Sequence, residues 1–186
     1  YFEELKEGVL YKTEILKRII ALYFRFSLYD NTFSIHINDE EISIDDLGEL
    51  TDKTQFLWKI GQNNDPLIDK LSNVLECDTL DLGDSSKLNG FIPSVEKPSH
   101  LNILSIREKV GIHLFVNGRL REKDILKHIP SSRIVENYIY GQIHFDVLDV
   151  GEKDRFTSSR EGVIADDSLF KDLLEYMKST MDAIYN

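Results

Sequence analysis

Cysteine is almost missing from this sequence. Cys77 stands alone among 186 residues, which excludes an internal disulfide and a thiolate metal cluster within one chain and makes a reducing cytoplasm the simplest compartment. Long apolar runs are missing too: no stretch approaches the roughly 20 residues that span a bilayer, and no charged-then-apolar leader opens the chain. No membrane address is expected. The chain opens at Tyr1 rather than at methionine, which reads as excision from a longer protein or as processing.

The common catalytic devices are also absent. There is no Gly-rich loop ending in Gly-Lys-Ser/Thr, no G-x-G-x-x-G after a strand and no G-x-S-x-G elbow. His36, His100, His113, His128 and His144 lack the spacing that aims two imidazoles at one metal. Asp78, Asp81 and Asp84 lack the spacing and central glycine of a calcium loop. Cys77 is followed by Asp78, which would raise rather than lower its thiol pKa. The hydroxyls of Ser158 and Ser159 have no base beside them in sequence and read as a turn.

What is present is 41% hydrophobic residues and a formal net charge of −11, the profile of a folded chain that would repel nucleic acid on average. The average hides a segregation. From Asp30 to Asp84 fourteen acids stand against Lys53, Lys59 and Lys70; from Ser85 to Arg133 nine basic residues face four acids. If one region meets phosphates, it is the second, and Phe115 within it, with Tyr138 and Tyr140 after it, are candidates to stack on bases.

Leu5, Val9, Leu16, Ile19, Ile20, Tyr23 and Phe26 recur at helical spacing and predict one long amphipathic helix. Phe33, Ile35 and Ile37, then Ile42 and Ile44, alternate around Asn38-Asp39 and predict a hairpin. The acidic stretch from Asp45 to Asp84 is less regular, with an apolar run Phe56-Leu57-Trp58 and a helix expected from Pro66 to Leu75. Strands are expected over Leu88 to Val95, Gly111 to Val116 and Tyr138 to Leu148, the last with a bulge or close approach at Gly141. Asn117-Gly118 predicts a type I′ turn, Glu122 to His128 a short basic helix stopped by Pro130, and Leu169 to Ile184 a closing helix with Asp166 and Asp167 at its N-terminus. The pattern is α+β: a mixed β-sheet covered by helices. It divides into residues 1–84 (helix, hairpin and acidic segment, either part of the same domain or an insertion) and a more regular core, 85–186.

The stretches "GIHLFVNGRLREKDIL", "YGQIHFDVLDV" and "DRFTSSREGVIADDSLFKDLLEYMK" resemble, in order and spacing, the second, transducer-type domain of MORC-like and related gyrase/histidine-kinase-type (GHKL) ATPases. The resemblance rests on Gly111 to Leu120, Gly141 to Asp146, Thr157 to Arg160 and Asp167 to Tyr185, about the last 100 residues. It implies a ribosomal-protein-like fold with a left-handed βαβ unit and a lysine that senses the ATP γ-phosphate, with Lys87 and Lys97 as candidates. Arg119, Arg121 and Arg160 are further candidates for phosphate or carboxylate pairing.

The family's metal-binding E-x-x-x-N helix, D-x-G-x-G element and glycine-rich lid are missing. The resemblance therefore implies a fragment with no cofactor and no enzymatic activity of its own. Its parent is expected to be a homodimeric, cytoplasmic ATPase that binds ATP and Mg²⁺ in an N-terminal domain and acts on a nucleic-acid or protein client. The alternative is a protein- or nucleic-acid-binding module without nucleotide dependence, whose affinity for nucleic acid would fall steeply with salt.

Overall fold

The computed structural model describes residues 12–29, 34–61, 65–80, 87–103, 108–130, 133–151, 153–157 and 162–185. Two compact units divide the chain, Tyr1–Gly48 and Glu49–Asn186. In the first, the apolar stripe forms α1 (Thr13–Tyr23) and a one-turn α2 (Arg25–Leu28). The expected single helix is broken at Phe24, whose φ of −111° and ψ of 21° leave the helical region; its expected beginning, Leu5 and Val9, lies outside the described residues. The hairpin forms as β1 (His36–Ile37) and β2 (Glu40–Glu41). Its turn residues Asn38 and Asp39 take φ of 49° and 64°, the left-handed region that a type I′ turn needs.

The second unit opens with α3 (Gly48–Thr51), whose first residue closes the preceding unit, and is built on one six-stranded mixed sheet. Its strands are β3 (Thr54–Ile60), β4 (Glu76–Leu80), β5 (Asn89–Val95), β8 (Ile112–Val116), β9 (Arg119–Glu122) and β10 (Gly141–His144), in the spatial order β4-β3-β5-β10-β8-β9. A separate two-stranded ribbon pairs β6 (Asn102–Ile103) with β7 (Glu108–Lys109). Strands from both sides of Asp84 thus join one sheet.

The closing helix α4 (Ser168–Tyr185) forms as its periodicity predicts, burying Phe170, Leu173, Met177, Thr180 and Met181 along one stripe. That stripe meets Ile60, Ile92, Ile112, Leu114 and Ile143 from the sheet. Each fully buried side chain of this kind contributes roughly 1.5–3 kcal/mol. The other face of the sheet carries Leu57, Phe91, His113, Phe115 and Gln142, all buried. There the Gln142 side-chain amide donates to Asp65, and the Asp65 carboxylate also accepts the Leu67 backbone N–H at 2.9 Å.

Three expected elements change character. Pro66 to Leu75 is not an α-helix but a turn and a 3-10 helix, Ile68–Lys70, because Asp65 turns its carboxylate onto Leu67 and Gln142. The following residues become β4, which pairs in parallel with β3. Glu122 to His128 is split between the end of β9 and a 3-10 turn, Ile125–His128, capped by Asp124. Tyr138 to Leu148 yields only four strand residues before the 3-10 turn Asp146–Asp149. The α+β class holds, but β8 and its parallel neighbour β10 are joined through β9 and 3-10 turns. Among the described residues that connection contains no α-helix, so the expected βαβ unit is not formed there.

Candidate nucleic-acid interface

The turn at Asn117-Gly118 is the most firmly built feature of one sheet end. Its φ angles, 48° and 72°, are those of the expected type I′ turn. Its Asn117 backbone N–H donates to Asp146 Oδ1 at 2.7 Å and its side-chain amide to Asp149 Oδ2 at 2.9 Å. These two bonds tie the β8–β9 hairpin to the segment after β10, and Arg119 leaves the turn exposed on the edge strand.

Register places further cations at the same end. Asn89, His144, Phe115 and Leu120 form one row across β5, β10, β8 and β9. Lys87 lies two residues before that row and Arg119 one residue before it, on strands three spacings apart, roughly 14 Å. Lys59 enters from β3, one residue before the Ile60–Gly90 pair. The side chains of Lys59, Lys87 and Arg119 make no hydrogen bond or ion pair with the described residues, so their charges are available to an external anion.

The remaining candidates separate from this set. Lys97 follows β5 whereas Lys87 precedes it, and β5 alone spans roughly 20 Å, so the two lysines cannot serve one phosphate group. Lys97 instead stands 3.9 Å from Glu96. Arg121 is buried, its guanidinium 3.9 Å from the centre of the Phe156 ring. Arg160 lies outside the described residues. We expect Arg121→Ala to cost about 2 kcal/mol in urea unfolding, from lost cation–π stacking and packing. Nucleic-acid binding by the folded variant should be unchanged, and a loss of binding without a loss of stability would contradict this placement.

Other described basic residues of the Ser85 to Arg133 region are spoken for. Lys127 pairs with the buried Glu122 carboxylate, which His128 Nε2 also approaches at 3.2 Å. Lys109 Nζ donates to the Glu136 carbonyl at 2.9 Å, and Arg133 pairs with Asp182 at 3.0 Å. Counting charges along the sequence could not reveal this internal neutralisation. It also could not single out Lys59, which sits among acids in sequence but opposite Phe91 in the sheet. Of the aromatics considered for stacking, Phe115 and Tyr140 are buried and Tyr138 is half-buried. Tyr140 is held by a 2.5 Å hydrogen bond to Thr54.

No family model and no solved structure matches the chain. A protein of Herpetosiphon aurantiacus named "Putative type II restriction enzyme HgiDII" is 32% identical over 183 residues, 94% of this chain and 29% of that protein. The chain therefore spans less than a third of the length of the curated relative it matches. The transducer reading is overturned by this match. With it fall the expectations of an ATPase parent and of a segment without an enzymatic role, since the matched protein is named as a restriction enzyme. The physical reason lies in the motifs. An apolar strand, an Asn-Gly turn, a second strand and a closing amphipathic helix are what any α+β sheet of this kind writes into its sequence. Their order records the sheet, not the family.

Proposed function

We propose that the chain is a DNA-acting segment of a type II restriction enzyme, and that the sheet end carrying Lys59, Lys87 and Arg119 meets the phosphate backbone. The observation that carries this reading is the 32% identity across 94% of the chain. The choice of surface rests on electrostatics. A chain of net charge −11 approaches DNA only through a local set of unpaired cations, and these three share one end of one sheet. Phosphate contacts position a protein on the duplex, while base contacts specify sequence; cations spread across roughly 14 Å suit the former.

Strand scission belongs to the whole enzyme. Phosphodiester hydrolysis with two metal ions needs clustered donor groups. Among the described residues no group of three or more His, Cys, Asp or Glu is placed to hold a metal ion, so no hydrolytic step is assigned to them. Among these residues, too, no helix is long and apolar enough to cross a membrane.

The test is duplex-DNA binding by fluorescence anisotropy across a salt series. With three phosphate contacts the logarithm of affinity should fall with the logarithm of salt at a slope of roughly −2.7. Lys87→Ala and Arg119→Ala should each weaken binding at low salt and make the slope shallower by about 0.9, whereas Lys97→Ala, at the other end of β5, should leave it unchanged. Salt-independent affinity, or equal losses from all three substitutions, would count against this surface. Double-strand cleavage of plasmid DNA by the longer protein, weakened by Lys87→Glu with Arg119→Glu, would join the surface to the enzyme's activity.

A further inference from the structure

The sheet end that carries Lys59, Lys87 and Arg119 also holds a histidine. β10 is a central strand, with β5 on one side and β8 on the other, and His144 is its last residue. Its neighbour Ile143 belongs to the core that α4 covers, so by the alternation of a strand His144 faces the opposite side, with Gln142. Lys59 lies on that side too, because register carries it through Phe91 to Gln142. In the next row His144 stands between Asn89 and Phe115. Lys87 precedes Asn89 by two residues, and Arg119 lies on β9, two strand spacings from β10, roughly 10 Å. The imidazole therefore falls inside the span that the three cations cover.

His144 is half-buried at the end of a strand whose other residues are buried. Its ring stacks on the buried Phe115 ring, with 5.6 Å between centroids and 18° between planes. The stack covers a face of the imidazole and fixes its plane, whereas the ring nitrogens donate within that plane. The acids nearby are committed elsewhere. Asp146, two residues on, accepts the Asn117 backbone N–H, and Asp149 accepts the Asn117 side-chain amide; Asp65 holds Gln142 and the Leu67 backbone N–H. The other groups on this side are the neutral Asn89, the buried His113, whose ring meets Phe115 edge-on at 6.1 Å, and the cations themselves. Cations disfavour a further positive charge beside them, and a bound phosphate favours it. Histidine changes charge between pH 5 and 8, so protonation and phosphate binding at such a place strengthen one another. We infer that His144 is a fourth phosphate-contacting residue of this surface, acting through its imidazolium and so only on the acid side of neutrality. This role rests on the DNA-binding reading of the same sheet end.

Duplex-DNA anisotropy at about pH 5.5 and about pH 8, each across a salt series, tests it. Calorimetry of the same binding in buffers of different ionisation heat counts the protons taken up. The expected result is tighter binding in acid, with a log–log salt slope steeper by about 0.9 than at the higher pH, the contribution of one phosphate contact. Binding near neutrality should take up protons. His144→Gln, which keeps a hydrogen-bonding side chain but cannot charge, should bind as wild type at the higher pH and show that same slope at both. His100→Gln, in the turn Pro98–Leu101 that follows β5 at its other end, should keep the wild-type pH dependence. Wild-type binding that takes up no proton and has one slope at both pH values overturns the role of His144 without recourse to any variant. A pH dependence that survives in His144→Gln does so as well. In either case Lys87→Ala and Arg119→Ala still weaken binding if the surface itself is right, so the histidine falls alone. Absence of DNA binding at both pH values overturns the surface and the histidine together.

Discussion

Replacing Gly141 with alanine should destabilise the second unit by roughly 4 kcal/mol and lower its melting temperature by on the order of 10 °C. Gly141 opens β10 with φ of +150°, and a Cβ at that position would stand 2.3 Å from the Phe91 carbonyl oxygen and 3.0 Å from Ile92 Cα. Both obstacles are backbone atoms of the neighbouring central strand β5, so no side-chain rotation relieves the clash. Either the two central strands part, costing ladder hydrogen bonds, or Gly141 moves and carries Gln142 away from Asp65. The cost combines overpacking with an unfavourable backbone conformation, each about 1–3 kcal/mol. Gly118→Ala is the control. Its φ is also positive, +72°, but a Cβ there meets nothing within 4 Å, so only the conformational cost of about 1 kcal/mol remains. Thermal and urea unfolding of the pair separate the terms. Equal losses from the two substitutions would show that the close approach of β5 and β10 contributes nothing.

Much of this architecture is legible in the residues. The Asn38-Asp39 and Asn117-Gly118 turns, the strand before the latter and the stripe of α4 all follow from local rules, because each depends on neighbours within a few positions. Gly141 reads as a bulge or close approach because a glycine inside an apolar strand gives up side-chain packing, a loss that a tight backbone contact offsets. The elements that cannot be read this way depend on distant partners. Asp65-Pro66 has the look of a helix start, yet Asp65 is committed to Gln142, 77 positions away. Glu76 to Leu80 is almost wholly exposed and shows no apolar alternation, so nothing local distinguishes this edge strand from a loop. The candidate site follows the same division. Lys87 and Arg119 stand out in the sequence as cations beside strands, but whether a cation is free depends on which carboxylate or ring the fold delivers to it. Arg121, two residues from Arg119, is lost to the interior for that reason.

Asp167→Asn should remove roughly 2 kcal/mol of stability at neutral pH, and the deficit should close as the pH falls. The carboxylate is buried at the start of α4, where its Oδ1 accepts the backbone N–H groups of Leu169 at 3.0 Å and Phe170 at 3.4 Å. Its Oδ2 lies 2.6 Å from Lys153 Nζ and 3.5 Å from Arg155 Nε. The helix cap itself is kept, because the asparagine Oδ1 accepts the same backbone N–H groups. The loss of about 2 kcal/mol comes from leaving the half-buried Arg155 without its carboxylate, a cost kept below that of a fully buried pair because Lys153 is exposed to water. Burial alone would raise the Asp167 pKa. The hydrogen bond from Lys153, the N–H groups of Phe170 and Leu169 and the charge of Lys153 outweigh it, so the carboxyl titrates below its ordinary value. A folded-state pKa below the unfolded one means that the stabilisation is complete above an unfolded value of about 3.9 and is lost as pH falls through the folded value. Urea unfolding of wild type and Asp167→Asn should therefore run parallel from neutral pH down to about pH 5 and converge below about pH 4. A gap that stays constant into acid would mean that Asp167 acts through shape alone.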